Sequence, residues 1–200
     1  MFTSFFTNFP GVLLFLFFFW RRLKEDYASN QIFATAFFML LGMTIGYFFS
    51  IRLLPFWWFW TEGVGVATGL FLGIYSFKFR FHESLEAAGV SFLPWISLMF
   101  LVDSTQNSRL PSLIAFLVCL ALIGAFFILD VHYKKFTWYR SGRVGFAGIS
   151  TVGLFFLLRA AYGAFAPHVV SFSGKFDAIT SGVIAFVFFL VIYNLAKSET

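Results

Sequence analysis

The sequence has few of the residues from which metal and redox sites are built. It contains one cysteine, Cys119, and three histidines, His82, His132 and His168. A single thiol excludes an internal disulfide and a cysteine-cluster metal site, and the histidines are too scattered to form a ligand-spaced pair. There is also no glycine-rich phosphate loop. We therefore expect neither a metal nor a cofactor.

Charge is also scarce. Asp, Glu, Lys and Arg make up 12% of the 200 residues and hydrophobic residues 60%, whereas soluble domains carry about 25% charged residues. A chain this apolar cannot cover a surface with polar groups, so its natural solvent is a bilayer. The net charge of +5 would point to nucleic acid in a soluble protein. Here the basic residues lie between apolar runs, so we expect no nucleic-acid partner.

Long apolar runs predict an all-α, polytopic membrane protein with seven transmembrane helices. A helix needs roughly 20 mostly apolar residues to cross the hydrocarbon core. We place the whole chain, 1–200, in a single integral membrane domain. The predicted spans are about 4–20, 31–51, 53–77, 87–102, 111–129, 144–165 and 178–195.

The basic residues orient these spans with the N-terminus outside and the C-terminus inside. Of the 14 Lys and Arg residues, this orientation places three outside (Arg52, Arg109 and Lys175), and Arg159 falls within a span. The other ten lie inside, in agreement with the positive-inside rule. They are Arg21, Arg22, Lys24, Lys78, Arg80, Lys134, Lys135, Arg140, Arg143 and Lys197.

Two ionisable side chains, Glu62 and Arg159, lie well inside predicted spans. Charges near the centre of a membrane cost a few kcal/mol and usually face the interior of a helical bundle. Helix rise places Glu62 about 13 Å and Arg159 roughly 8 Å from the outer face of a core about 30 Å thick. We predict that they share a polar pocket. The alternative is that Arg159 snorkels to the outer interface while Glu62 is protonated or hydrogen-bonded to a neighbour.

The surroundings of Glu62 are aromatic and glycine-rich. Trp60 belongs to an outer aromatic belt, and Gly63 and Gly65 follow directly. Glycines beside a buried carboxylate leave room for a ligand, or they form a packing notch. Glycine pairs at four-residue spacing predict close helix packing; they are Gly42 with Gly46, and Gly69 with Gly73.

The predicted inner side carries two polar segments. Tyr139, Arg140 and Arg143 are candidate contacts to an anionic lipid headgroup, or simply an anchor at the inner face. In the other segment, His82 and Glu86 are four residues apart and share a helical face. That pair suits proton chemistry, or it caps or solvates the start of a helix.

Three stretches carry a family resemblance. The first span leads into "WRRLKEDYASNQIFATAFFMLLGMTIGYFFSIRLLPFWWFWTEG"; later come "FLPWISLMFLVDSTQN" and "VGFAGISTVGLFFLLR". Their order and spacing resemble prolipoprotein diacylglyceryl transferases, seven-span enzymes of the bacterial plasma membrane. Asn107 and Arg159 match functional residues of that family. Its histidine, its signature arginine and two of its glutamates fall at Ala67, Ser104, Ser112 and Gly163 in this chain.

The resemblance implies transfer of diacylglyceryl from phosphatidylglycerol to a prelipoprotein cysteine. Arg159 would bind the phosphate or glycerol oxygens, Glu62 would accept the proton, and Asn107 would position the headgroup. The partners would be phospholipid and prelipoprotein signal peptides. The candidate lipid-binding residues are Trp60, Gly63, Gly65, Gly69, Gly145, Tyr139, Arg140 and Arg143.

Two alternatives follow from the residues that differ from the family. One is a catalytically degenerate relative that binds lipid or assembles with another membrane protein. The other is a small transporter or lipid-flipping protein with Glu62 and Arg159 as its substrate site.

Overall fold

The computed structural model describes residues 2–132, 145–165 and 175–197, and every regular element in these ranges is helical. This confirms the all-α fold class. The helices are α1 (Phe2–Leu23), α2 (Ser29–Leu53), α3 (Trp58–Phe77), α4 (Phe81–Asn107), α5 (Leu110–His132), α6 (Phe146–Phe165) and α7 (Lys175–Lys197).

Among the described residues, five helices are long and apolar enough to cross a membrane: α2, α4, α5, α6 over Phe146–Gly163, and α7. The chain therefore has the composition of a multi-pass membrane protein. Helices α1 and α3 are not among the five. Helix α3 carries four glycines and Glu62, which lower its hydropathy.

The third predicted span, 53–77, is interrupted near its start. Helix α2 ends at Leu53, and a 3₁₀ turn at Pro55–Trp57 precedes α3. Proline disfavours a helical conformation in the residue before it, and Leu54 accordingly leaves the helical region with φ −138° and ψ 61°. Helix α3 starts at Trp58, directly after the 3₁₀ turn.

Helix α4 is longer at both ends than the predicted span 87–102. It begins at Phe81 and includes Glu83 and Glu86, both of which are buried. Hydropathy alone places such carboxylates outside a helix that crosses a membrane. Here they fold into its first turns because other side chains pair with them, as described below.

The chain divides into two compact units, and helices α1 and α4 contribute residues to both. We call Leu16–Ala88 the α2–α3 unit. We call Met1–Phe15 together with Gly89–Thr200 the α5–α7 unit.

Glycines bring the two helices of the α2–α3 unit into backbone contact. A Cβ atom built on Gly42 would overlap the carbonyl of Gly65, and one built on Gly65 would overlap the carbonyl of Gly42. Gly69 lies against the backbone of Phe38, and Gly73 lies against the side chain of Thr35. The predicted packing role of the four-residue glycine spacing is confirmed, and Gly65 belongs to the same contact.

The α5–α7 unit has an apolar core between its C-terminal helices. Phe146 and Ile149 of α6 are buried with Ile192 of α7. Gly89 of α4 lies against Val152 of α6. These contacts hold the first half of α6 in place, and Arg159 follows in its second half.

Candidate functional site

A deeply buried ion pair in the α5–α7 unit joins α6 to α7. The Arg159 guanidinium donates from Nη2 to both carboxylate oxygens of Asp177, each at 2.8 Å. The two side chains are 2% and 0% exposed. The Arg159 side chain is therefore buried against α7 within this unit.

Pairing explains how a charged arginine can lie in an apolar helix. A buried charge costs several kcal/mol unless an opposite charge compensates it. Asp177 supplies that charge from the first turn of α7, where the helix dipole also favours a carboxylate. The two residues together form a neutral, polar group in apolar surroundings.

Arg159 also forms part of the wall of a cavity of about 160 Å³ between α4, α5 and α6. The buried wall consists of Phe100, Ala115, Cys119 and Phe155. Among the described residues that line this cavity, Arg159 is the only charged one. The cavity therefore suits a hydrocarbon segment that has a polar group at one end.

A second polar cluster lies where α4 turns into α5. Asp103 is 6% exposed and accepts a hydrogen bond from Asn107 Nδ2 at 2.7 Å and another from the Ser112 hydroxyl. Arg109 Nη1 lies 3.9 Å from the same carboxylate. Asn107, a candidate headgroup contact, thus uses its amide N–H to bind Asp103.

Glu62 is 8% exposed and lies in the other unit. Within the described residues of the α2–α3 unit, no side chain forms a hydrogen bond or ion pair with it. The close approach of Gly46 to the Glu62 Cα atom, 2.9 Å from a Cβ built on that glycine, fixes the backbone at this point. The predicted pocket shared by Glu62 and Arg159 stays a prediction, and the carboxylate that Arg159 binds in its own unit is Asp177.

The glycines near Glu62 have different roles. Gly65 and Gly69 are in the α2–α3 contact, in accordance with the packing-notch alternative, whereas a Cβ on Gly63 would meet no atom within 4 Å. Trp60 is partly buried on α3, with its ring edge-to-face on Phe59 at 5.3 Å. The packing of α2 on α3 therefore accounts for two of these candidate lipid contacts.

Gly145 is required by the backbone at the start of α6. Its φ of 88° is a conformation that favours glycine, and its carbonyl accepts a hydrogen bond from the Ile149 N–H at 3.1 Å. Tyr139, Arg140 and Arg143 lie outside the described residues, so their predicted contact to a headgroup stays a prediction.

In the α2–α3 unit, Tyr27 connects the α1–α2 turn to the start of α4. Its hydroxyl donates to Glu83 at 2.6 Å and accepts from the backbone N–H of Arg80 at 3.0 Å. Its ring lies 4.1 Å from that of Phe79, and the Arg80 side chain donates to Glu83 at 2.9 Å. The turn between α3 and α4 is thereby held to the turn between α1 and α2.

Glu86 lies one helical turn beyond His82 but binds Arg22 of α1 through an ion pair. Because Glu86 is only 1% exposed, its interpretation as part of a solvated helix start is wrong. The residue instead contributes to the same ionic connection between helices.

Tyr27 gives this connection a dependence on alkaline pH. Burial raises the pKa of Tyr27, and the hydrogen bond to Glu83 raises it further. Stability from this group is complete below pH 10, where a tyrosine in the unfolded chain ionises, and is lost as the pH rises through the higher pKa of the folded state. We expect Tyr27→Phe to cost about 1–3 kcal/mol at neutral pH and to weaken the alkaline loss of stability. Thermal unfolding measured as a function of pH tests this prediction. The control Tyr75→Phe removes an exposed hydroxyl and should change neither the stability at neutral pH nor its loss at alkaline pH. Equal curves for the two variants would contradict the prediction.

Two residues of these sites were missed in the sequence, Asp177 and Asp103. Both lie just beyond the ends of predicted spans, at 178 and 102, where an acidic residue is unremarkable. The available signal was Arg159 itself, because an arginine inside a span requires a nearby acidic partner.

The structure defines an all-helical protein of the multi-pass membrane type, with a buried ion pair beside an apolar cavity. Among the described residues, no group of three His, Cys, Asp or Glu side chains could hold a metal ion. Comparison with family models, curated proteins and solved structures gives no match. The resemblance to diacylglyceryl transferases therefore rests on the sequence stretches alone.

Proposed function

We propose that this protein binds a membrane phospholipid in the α5–α7 unit, with the glycerol region of the lipid at Arg159 and hydrocarbon in the adjoining cavity. The observation that carries the proposal is the buried ion pair that Arg159, the one charged residue among the described residues of the cavity wall, forms with Asp177. A guanidinium is a fixed donor for lipid oxygens. In a membrane helix, such a buried polar group usually marks a functional site.

The proposal includes the topology and location expected from the sequence. All seven helices would cross a bacterial plasma membrane, with the N-terminus outside and the C-terminus inside. Arg159 lies six residues before the end of α6, about 9 Å at 1.5 Å per residue. That depth is within reach of the ester region of the outer leaflet.

The activity that the resemblance implies is transfer of diacylglyceryl from phosphatidylglycerol to the cysteine of a prelipoprotein. Purified protein would be incubated with headgroup-labelled phosphatidylglycerol and a lipobox peptide, and both peptide modification and retained lipid would be measured. If the protein is a transferase, the peptide gains the diacylglyceryl group and labelled phosphoglycerol is released.

Binding without transfer is the second candidate function, and two contacts favour it. Asp177 already neutralises Arg159, and the Asn107 amide is bound to Asp103. Neither residue is therefore arranged to stabilise a leaving phosphate. This function predicts retained phospholipid and an unmodified peptide.

A double substitution tests the binding site itself. Arg159→Met with Asp177→Val removes both charges together, so no unpaired buried charge remains. We expect retained phospholipid to fall by about tenfold or more, the loss of one charge-assisted contact. Lys175→Gln removes an exposed cation of the same unit and should change little. Retention that is equal in the two proteins would contradict the proposed function.

A further inference from the structure

The size of the cavity limits what it can hold. Its volume is about 160 Å³, and an apolar cavity of about 150 Å³ admits one benzene molecule, six carbon atoms. The space between α4, α5 and α6 therefore has room for a short segment of one chain. Two acyl chains side by side do not fit.

The rim of the cavity lies on an exposed face of α6. Leu158 is 42% exposed and Phe165 is 88% exposed, and both line the cavity together with the buried Ala115 and Cys119. A chain can therefore reach the buried wall sideways, from the surrounding hydrocarbon, and its remainder can continue outward past the rim.

The charge balance decides which polar end belongs beside Arg159. The guanidinium is already compensated by Asp177 through two 2.8 Å hydrogen bonds. A carboxylate or phosphate arriving at the pair would bring a net negative charge into an apolar site, which costs several kcal/mol. An ester carbonyl adds a hydrogen-bond acceptor and no charge.

From these three observations we propose that the cavity binds the first few carbons of a single acyl chain through an uncharged ester carbonyl at Arg159, and rejects anionic chain ends. The proposal rests on the proposed function, since it names the part of a lipid that this site recognises. The selected chemistry is an ester-linked chain, whether from a phospholipid, a monoacylglycerol or a simple alkyl ester.

The single cysteine of the chain allows a direct test. Cys119 lies in the cavity wall, so a chain in the cavity should slow its reaction with N-ethylmaleimide. We expect methyl oleate and monoolein to slow labelling at least fivefold at about pH 9, where oleate is an ionised carboxylate. Oleate, with the same chain, should have less than half that effect. Equal protection by oleate and methyl oleate would overturn the proposal, as would a thiol that never reacts or that methyl oleate does not protect.

Three variants locate the effect. Ala115→Leu fills the cavity and should abolish protection by methyl oleate, whereas Ala121→Leu on the exposed side of α5 should preserve it. Asp177→Asn leaves the Arg159 charge uncompensated, so the preference should reverse. The variant, purified in oleate, should unfold at a higher temperature with oleate than with methyl oleate. If protection survives Ala115→Leu, or if oleate fails to stabilise Asp177→Asn more than methyl oleate does, the site assignment is wrong.

The outcome is separable from that of the proposed function. Retained phospholipid with no protection of Cys119 by methyl oleate would preserve phospholipid binding and reject the single-chain site. Protection of Cys119 by methyl oleate in a protein that retains no phospholipid would support the single-chain site and reject phospholipid binding.

Discussion

Adding one methyl group at Gly65 is expected to separate α2 from α3. The new Cβ would overlap the backbone carbonyl of Gly42, and a backbone cannot move away as the end of a flexible side chain can. Overpacking of a well-fitted contact costs about 1–3 kcal/mol when side chains can adjust. We expect Gly65→Ala to reach the upper end of this range and Gly65→Leu to prevent isolation of a monodisperse protein.

Gly63 provides the matched control, two residues away on the same helix. A Cβ at that position meets no atom within 4 Å, and alanine is the better helix former by about 1 kcal/mol. Gly63→Ala should therefore unfold at the same or a slightly higher temperature than the parent protein. Thermal unfolding in detergent, followed by size-exclusion chromatography, would compare the two variants; a Gly65→Ala protein as stable as Gly63→Ala would show that the backbones are not in contact.

The second large effect is expected when one member of the Arg159–Asp177 pair is removed. Asp177→Asn or Arg159→Met leaves a single charge in an environment where both side chains are at most 2% exposed. Breaking a buried pair in this way costs about 3–5 kcal/mol, whereas replacing both partners with apolar residues is often neutral. The double variant Arg159→Met with Asp177→Val should therefore be more stable than either of these single variants.

The measurement is a double-mutant cycle on the temperature of unfolding. The interaction energy from this cycle separates an ion pair from two independent polar residues, because the losses caused by independent residues would simply add. Strictly additive losses would mean that Asp177 does not compensate Arg159. As a control for charge alone, Arg109→Met removes a cation that is 46% exposed and should cost less than about 1 kcal/mol.

For the part of the chain that the structure describes, the positions and order of the helices could be predicted from the sequence because apolar runs of this length have few other structures. The ends of α4 could not be predicted in this way. Glu83 and Glu86 mark the edge of a span by composition. Their burial depends on Tyr27 and Arg22, which are distant in the sequence, and on the neighbouring Arg80.

The candidate site could likewise be predicted only in part from the sequence. Arg159 was evident as a charge inside a span, and its shared pocket with Glu62 stays a prediction. The partner that binds Arg159 within the α5–α7 unit, Asp177, was missed because α7 begins at Lys175, three residues earlier than the predicted span. The contacts of Gly65 and Gly69 with α2 likewise depend on how the helices pack. The glycine spacing alone does not specify which face of α3 packs on α2.

The glycine contact between α2 and α3 also bears on biosynthesis. Only residues 54–57 separate the two helices, so every residue needed for their pairing has been synthesised when Phe77 emerges from the ribosome. Contacts between neighbours in sequence form early, since little chain entropy opposes them. In the proposed seven-span topology, the two helices would enter the membrane together as a hairpin. Glu62 would then be inserted beside a partner helix, with less of its surface facing lipid than in a lone α3.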